Sequence, residues 1–222
     1  MDPTKRLFRG AVVLCGGESR RMGTDKALLP FGDESLLERT VRLLTEVVPR
    51  DRIVIVAAAE QSLPLLPPAV RIIRDEDSGR GPVSAISAGL HALEGNAEAA
   101  FVTSCDAPLL KPAAVSWLFE RLEVATANSS EDDPVDGVVL QDELRLYPLT
   151  AVYRTSCAGA FSLAWASEDA SMHGALKSEF LNPLFVSVDE LRAIDPELDS
   201  LVNCNTSEDY EAALIRAGFA VP

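Results

Sequence analysis

Gly10-Ala-Val-Val-Leu14, followed at once by Cys15-Gly-Gly-Glu-Ser-Arg-Arg-Met-Gly-Thr-Asp-Lys26, decides how this chain is read. The first five residues are apolar without interruption, the pattern of a strand covered on both faces, and Gly16-Gly17 ends it in a tight loop. That loop gathers Arg20, Arg21 and Lys26 at the carboxyl end of a strand, which is where ligands bind in open α/β sheets. Gly16, Gly17 and Gly23 permit close backbone approach. Successive N–H groups in such a loop form an anion-binding concavity, and the arginines and lysine add charge-assisted bonds to phosphate oxygens. Two common phosphate loops do not fit: Gly23 is followed by Thr24-Asp25-Lys26 rather than Lys-Ser/Thr, and the glycine spacing is not GxGxxG. The plain alternative, a glycine-rich surface loop with scattered charges, leaves the strand-end placement and the local basicity as a coincidence.

Working outward, strands and helices alternate. Ser35-Leu-Leu-Glu38 is a capping box opening a helix to about Val48. Residues 52–58 and 70–73 read as buried strands, the second followed by Asp75. Gly81-Pro82 opens a helix through Leu93, with proline suited to the first turn. Residues 99–103 form a fourth strand ending at Ser104-Cys105-Asp106, and Pro112 opens a helix through about Val124. This is the signature of βαβ units and a parallel sheet, with strands apolar throughout because both faces are covered. Residues 126–136 read as a polar, acidic loop. Strands follow at 137–140 and 144–153, where Pro148 sets a break or an edge. Helices are expected at 156–166 and 171–180 and a strand at 184–188. Ser207 caps a last helix that buries Leu214 and Ile215. The expected architecture is a three-layer α/β fold, a mostly parallel sheet flanked by helices. It forms a single domain over 1–222, with a nucleotide-binding half (1–125) and an acceptor-side half (126–222).

Composition narrows the functions. The 222 residues carry 20 Lys+Arg against 34 Asp+Glu, a net charge of −14, so a nucleic-acid partner is not expected. No apolar run reaches the ~20 residues of a membrane span, and Met1–Gly10 has no apolar core of a secretory signal. Cys15, Cys105, Cys157 and Cys204 are widely spaced, without metal-site spacing, and read as reduced thiols of a cytoplasmic protein. Cys15 and Cys105 read as small buried residues rather than nucleophiles, since no histidine lies near either in sequence.

Three further positions carry chemistry. Asp106 closes an apolar strand and suits Mg²⁺, which prefers oxygen ligands and bridges to phosphates. A helix N-terminal acid before Pro112 is the alternative. Asp75 ends its strand similarly, or is an ordinary loop acid. Asn205, in Asn203-Cys-Asn205, could offer its side-chain oxygen to a metal, or serve as an N-cap.

Leu14-x-Gly16-Gly17-x-Ser19-x-Arg21-Met22-Gly23-x-Asp25-Lys26 resembles the signature loop of molybdenum cofactor guanylyltransferases and related nucleotidyltransferases. The resemblance continues in order through Leu36-Leu-Glu-Arg39, Gly81-Pro82, Cys105-Asp106-x-Pro108 and Asn203-x-Asn205-Thr206. It implies a Rossmann-like nucleotidyltransferase fold and Mg²⁺-dependent transfer of GMP from GTP to a molybdopterin-type acceptor, with release of pyrophosphate. It implies that Leu14, Cys15 and Gly16 line the guanine, with Gly17 and Ser19 in the same loop. Arg20 and Arg21 would hold the β- and γ-phosphates, Lys26 would act near the α-phosphate, Asp75 would contact GTP, and Asp106 would hold Mg²⁺, with Asn205 as a second ligand. Arg21, Lys26 and Asp106 are then the catalytic set. A transient contact with molybdoenzymes is compatible with it. The sequence departs from the family at Cys15 (usually Ala), at Ala57-Ala-Ala59 (near a nucleotide-contacting Asn of relatives), at Ser84-Ala85, and at Tyr147-Pro148 (His-Pro in some relatives). A cytidylyltransferase, a sugar- or alcohol-phosphate nucleotidyltransferase, and a non-catalytic nucleotide-binding protein are the other readings.

Overall fold

The computed structural model describes residues 7–15, 25–75, 81–130 and 133–221. The strand that precedes the glycine loop, β1 (Arg9–Leu14), lies inside a seven-stranded sheet. It pairs in parallel with β4 (Ile53–Ala58) on one side and β6 (Ala99–Ser104) on the other. β5 (Arg71–Asp75) extends the parallel set beyond β4. On the far side of β6 come β8 (Leu146–Arg154), β7 (Gly137–Gln141) and β9 (Pro183–Ser187). β8 is antiparallel to both β6 and β7, while β7 and β9 pair in parallel. One sheet thus runs through both halves of the chain.

The continuous apolar runs follow from two covered faces. Ala11, Val13 and Cys15 point to one core with Ile53, Ile55 and Phe101, whereas Val12 and Leu14 point to the other with Val54, Val56 and Val102. The first face is covered by α1 (Leu36–Leu44), α3 (Pro112–Asn128) and α6 (Val188–Leu191). The second is covered by α2 (Pro82–Leu93), α4 (Ala158–Trp165) and α5 (Met172–Lys177). Helix α2 lies close on β1 because Gly89 has no side chain: a Cβ there would sit 2.4 Å from Val12 Cγ1. A third, smaller core joins Phe31 and Leu36 to Cys204, Tyr210 and Leu214. It holds α7 (Ser207–Arg216) against the hairpin of β2 (Pro30–Phe31) and β3 (Glu34–Ser35).

Several expectations are corrected. The helix opened by the Ser35/Glu38 capping box ends at Leu44, with turns continuing to Val48. Helix α3 runs to Asn128, so the first residues of the expected acidic loop are helical. Thr206, not Ser207, caps α7, in a capping box with Asp209. Ile215 is 65% exposed, and the buried side of α7 is Tyr210, Ala213 and Leu214. β5 is an edge strand with Arg71, Ile72 and Arg74 exposed, so it is not buried like its neighbours. Pro148 marks a break, not an edge: β8 is interior, and the register with β7 jumps from Val139↔Ala151 to Leu140↔Tyr147. The β6 ladder ends at Thr103↔Thr150, so Pro148, which has no N–H, owes neither neighbour a bond. Among the described residues no helix is long and apolar enough to cross a membrane.

Candidate active site

The parallel strands β1, β4, β5 and β6 end at one edge of the sheet, and the segments that leave them there build the site. Past β1 the described chain resumes at Asp25, whose carboxylate Oδ1 accepts the Ala27 N–H at 3.0 Å and caps the short 3-10 turn Lys26–Leu28. A short polar side chain at a helix start satisfies a donor that the turn itself cannot. The turn presents Lys26.

Asp106 follows β6 by two residues. Ser104 Oγ donates to its Oδ1, and Lys26 Nζ lies 2.8 Å from its Oδ2. Helix α3 begins only at Pro112, so Asp106 is not an acid in its first turn. The Asp106 carbonyl accepts the N–H of Cys204, which is buried in the third core, at 2.9 Å. That bond brings Asn205 alongside, and Lys26 Nζ is 3.2 Å from its Oδ1. Thr206 takes the capping role in α7, which leaves the Asn205 amide to face the lysine. The ammonium thus sits between two oxygens from segments 80 and 179 residues away along the chain.

The expected site residues therefore divide. Lys26, Asp106 and Asn205 meet. Asp75 ends β5 on the same edge, two strands from β1 and so about 10 Å across the sheet, outside this cluster. Leu14 and Cys15 are buried, and their backbone groups are engaged: Leu14 O accepts from Cys105 N, and Cys15 N donates to Val56 O. Gly16, Gly17, Ser19, Arg20 and Arg21, with Met22 and Gly23, lie outside the described residues.

Two thiols near the site, Cys15 and Cys204, are held protonated. A hydrogen bond with Cys105, aided by burial, holds the Cys15 thiol well above its ordinary range. Burial, with the Asp106 charge nearby, pushes Cys204 up to about 12. Protonated thiols are neither nucleophiles nor metal ligands at neutral pH.

Gln61 belongs to this edge and carries no sequence signal. Its Nε2 donates to Cys15 O at 2.9 Å and to Asp25 Oδ1 at 2.8 Å. Nothing in Glu60-Gln61-Ser62 marks it, because its role depends on two segments 46 and 36 residues away.

The residues present fit a hard divalent cation. Asp106 and Asn205 supply two oxygens that already converge on a positive group, the Lys26 ammonium. Among the described residues no three His, Cys, Asp or Glu side chains gather at metal-binding geometry. Two protein oxygens suit Mg²⁺, which keeps waters and takes phosphate oxygens rather than a full protein cage.

A sequence model described as the MobA-like NTP transferase domain matches residues 11–183. A probable molybdenum cofactor guanylyltransferase of Methanosarcina mazei is 35% identical over 219 residues, covering 93% of this chain and 90% of that protein. One from Mycobacterium avium is 38% identical over 204 residues, covering 90% and 92%. Among solved structures, the molybdopterin-guanine dinucleotide biosynthesis protein A of Archaeoglobus fulgidus superposes with a TM-score of 0.73 at 24% identity, over 95% of this chain and 98% of that one. A 2-C-methyl-D-erythritol 4-phosphate cytidylyltransferase of Thermus thermophilus shares the fold at 13% identity, with a TM-score of 0.64 over 94% and 98%. With the matched span running from the first strand to the last, the chain belongs to the family of MobA-like NTP transferases.

Proposed function

We infer that this nucleotidyltransferase moves GMP from GTP to the phosphate of a molybdopterin-type acceptor and releases pyrophosphate. The observation that carries the reading is the Lys26 ammonium held between Asp106 and Asn205 at the carboxyl edge of the parallel strands. The choice of GTP and of the acceptor is supported by the names of the Methanosarcina and Mycobacterium relatives.

In this reading an acceptor phosphate oxygen forms a bond to the α-phosphorus of GTP. The bond from that phosphorus to the oxygen bridging to the β-phosphate breaks, and pyrophosphate leaves with the electron pair. The attacking phosphate is already anionic, so no side chain need take a proton from it. Most of the work left to the chain is placement and charge. Lys26 neutralises the α-phosphate, where negative charge shifts as the bridge breaks. Arg20 and Arg21 hold the outgoing β- and γ-phosphates, and Gly16, Gly17 and Ser19 give backbone donors to the same groups. Leu14, Cys15 and Gly16 line the guanine, and Asp75 contacts the nucleotide from two strands away. Asp106 and Asn205 would hold Mg²⁺, which when bound polarises the α-phosphoryl oxygen as a Lewis acid. The strands after residue 126 that follow β6 across the sheet, β8, β7 and β9, form the acceptor side.

The test is equilibrium binding of GTP, CTP, ATP and UTP with and without Mg²⁺. It is followed by transfer from the preferred nucleotide to molybdopterin. Selective GTP binding that needs Mg²⁺ and is lost in Lys26→Ala is expected. Preference for CTP would move the reading to a cytidylyltransferase and direct attention to Ala57-Ala-Ala59. No binding of any nucleotide would overturn it.

A further inference from the structure

Gln61 lies in the turn that leaves β4, and its carboxamide bonds through both its oxygen and its nitrogen. Oε1 accepts the Ala58 N–H at 3.2 Å, and Nε2 donates to both Cys15 O at 2.9 Å and Asp25 Oδ1 at 2.8 Å. The turn is itself pinned. Gln61 N donates to Ala58 O at 3.1 Å, and Arg74 Nη1, from β5, donates to the carbonyls of Ala58 at 3.0 Å and Gln61 at 2.7 Å. One side chain thus joins the end of β1, the end of β4 and the cap residue of the turn that carries Lys26.

Asp25 Oδ1 is the shared point. It accepts from Gln61 and also takes the Ala27 N–H that starts the 3-10 turn. We propose that Gln61 is the positioning residue of Lys26: by fixing Asp25 it sets the turn from which the ammonium reaches Asp106 and Asn205. The proposal rests on the nucleotidyltransferase reading of that cluster.

The chemistry of the position is specific. Two donors and one acceptor are needed on a side chain long enough to span from the β4 turn to Cys15 and Asp25. Glutamine supplies them. Asparagine has the same atoms one carbon shorter. Glutamate keeps the length and the acceptor for Ala58, but replaces the donor nitrogen with an oxygen that faces a carbonyl and a carboxylate. Lysine has four rotatable bonds, so a displaced backbone at Lys26 spreads its ammonium over many positions rather than shifting it by a fixed step. In a site that works by placement, such spreading lowers the rate more than the affinity.

The variants are Gln61→Met, which keeps the length and removes the polar atoms, and Gln61→Glu. In the ligand-free protein, the rate at which an amine-acylating reagent modifies each lysine is read by peptide mass spectrometry. Lys111, which is paired elsewhere, serves as internal reference. Lys26 is expected to react about threefold faster or more in either variant, with Lys111 unchanged, because its own hydrogen bonds protect it in the parent. With substrates, kcat is expected to fall about tenfold while KM for GTP changes less. In a Lys26→Ala background the same substitution should change kcat less than about threefold, because residues acting through one another are not additive. Unchanged Lys26 labelling in folded variants, or full multiplication of the two losses, overturns the proposal. Unfolding of both variants would make Gln61 a purely structural residue and overturn it equally. If the parent transfers no nucleotide while Lys26 labelling still responds to Gln61, the functional reading fails and the positioning role stands.

Discussion

Two lysines, Lys26 and Lys111, each hold two oxygens, and the two clusters are built for different ends. Lys111 Nζ lies 2.6 Å from Asp195 Oδ1 and 2.7 Å from Asp199 Oδ2. Asp195 is wholly buried, its Oδ2 takes the Ser200 N–H at 2.8 Å, and Arg216 pairs with Asp199. Each carboxylate there is answered by protein, and the cluster ties the start of α3 to the loop before α7. Lys26 has one carboxylate and one neutral, exposed amide; its side chain is 16% exposed against 36% for Lys111, so the clusters differ in the oxygens that answer each lysine and not in how open the lysine is. A polyphosphate can take over such an ammonium; it could not displace a buried aspartate from Lys111 without leaving that charge unpaired. The same pair of residue types therefore gives stability where the lysine answers a buried carboxylate, and a ligand site where it is held by one carboxylate and one exposed amide.

The sharpest way to break this contrast is to neutralise the carboxylate in the Lys26 cluster. Asp106→Asn is expected to cost about 4 kcal/mol of transition-state stabilisation, roughly a thousandfold in kcat/KM for GTP, with a nearly unchanged melting temperature. Near-normal turnover in Mg²⁺ would remove Asp106 from the site. In the Lys111 cluster the expectation is inverted. Lys111→Met should destabilise the fold by about 3 kcal/mol in urea titrations, because it strips one partner from a buried carboxylate, while GTP affinity stays as it was. Lost affinity with intact stability would erase the distinction.

The pH dependence sharpens it further. Burial raises the Asp195 carboxyl, but bonds from Lys111 and Ser200 outweigh it and hold the group below its ordinary range. A depressed carboxyl contributes stability that is complete above its unfolded value of about 3.9 and fades as pH falls through the folded one. Without Lys111, burial is less opposed and the carboxyl moves up. The stability gap between Lys111→Met and its parent should therefore narrow as urea midpoints are followed from pH 7 toward pH 4; a gap that widens would contradict the pairing. The smallest effect belongs to Thr206→Ala, which removes the cap of α7 beside Asn205. About 1 kcal/mol of stability is expected to go, with a slight loss of Mg²⁺-GTP affinity measured by calorimetry.

How much was legible in the chain depended on how local the cause was. The bounds of α2 at Pro82 and Leu93 followed from proline at the first turn and an apolar face, both of which act within a few residues. The Ser35/Glu38 capping box was equally plain, because its two bonds close within four residues. The end of α1 was not, since the turns from Thr45 to Val48 share its apolar pattern. Ile215 looked as buried as Leu214 because a short amphipathic helix does not say which side meets the third core. At the site, Lys26 and Asp106 could be named from strand-end position and residue type, and Asn205 as an amide before the last helix that suits a metal or a cap. Gln61 could not, because a glutamine after a strand has no distinguishing neighbour.

The sequence by itself determined the doubly covered parallel sheet and the edge at which chemistry would collect, because uninterrupted apolar runs ending in glycines or acids are local facts about burial. Tertiary structure alone decided that Asn205 reaches Lys26 across 179 residues, that Gln61 braces Asp25, and that the strand ending in Asp75 lies two places from β1. Those outcomes depend on strand order and on the small core that seats α7 against the β2–β3 hairpin. No short window of sequence encodes which distant segments will share a sheet edge; only the packing that buries both faces fixes it.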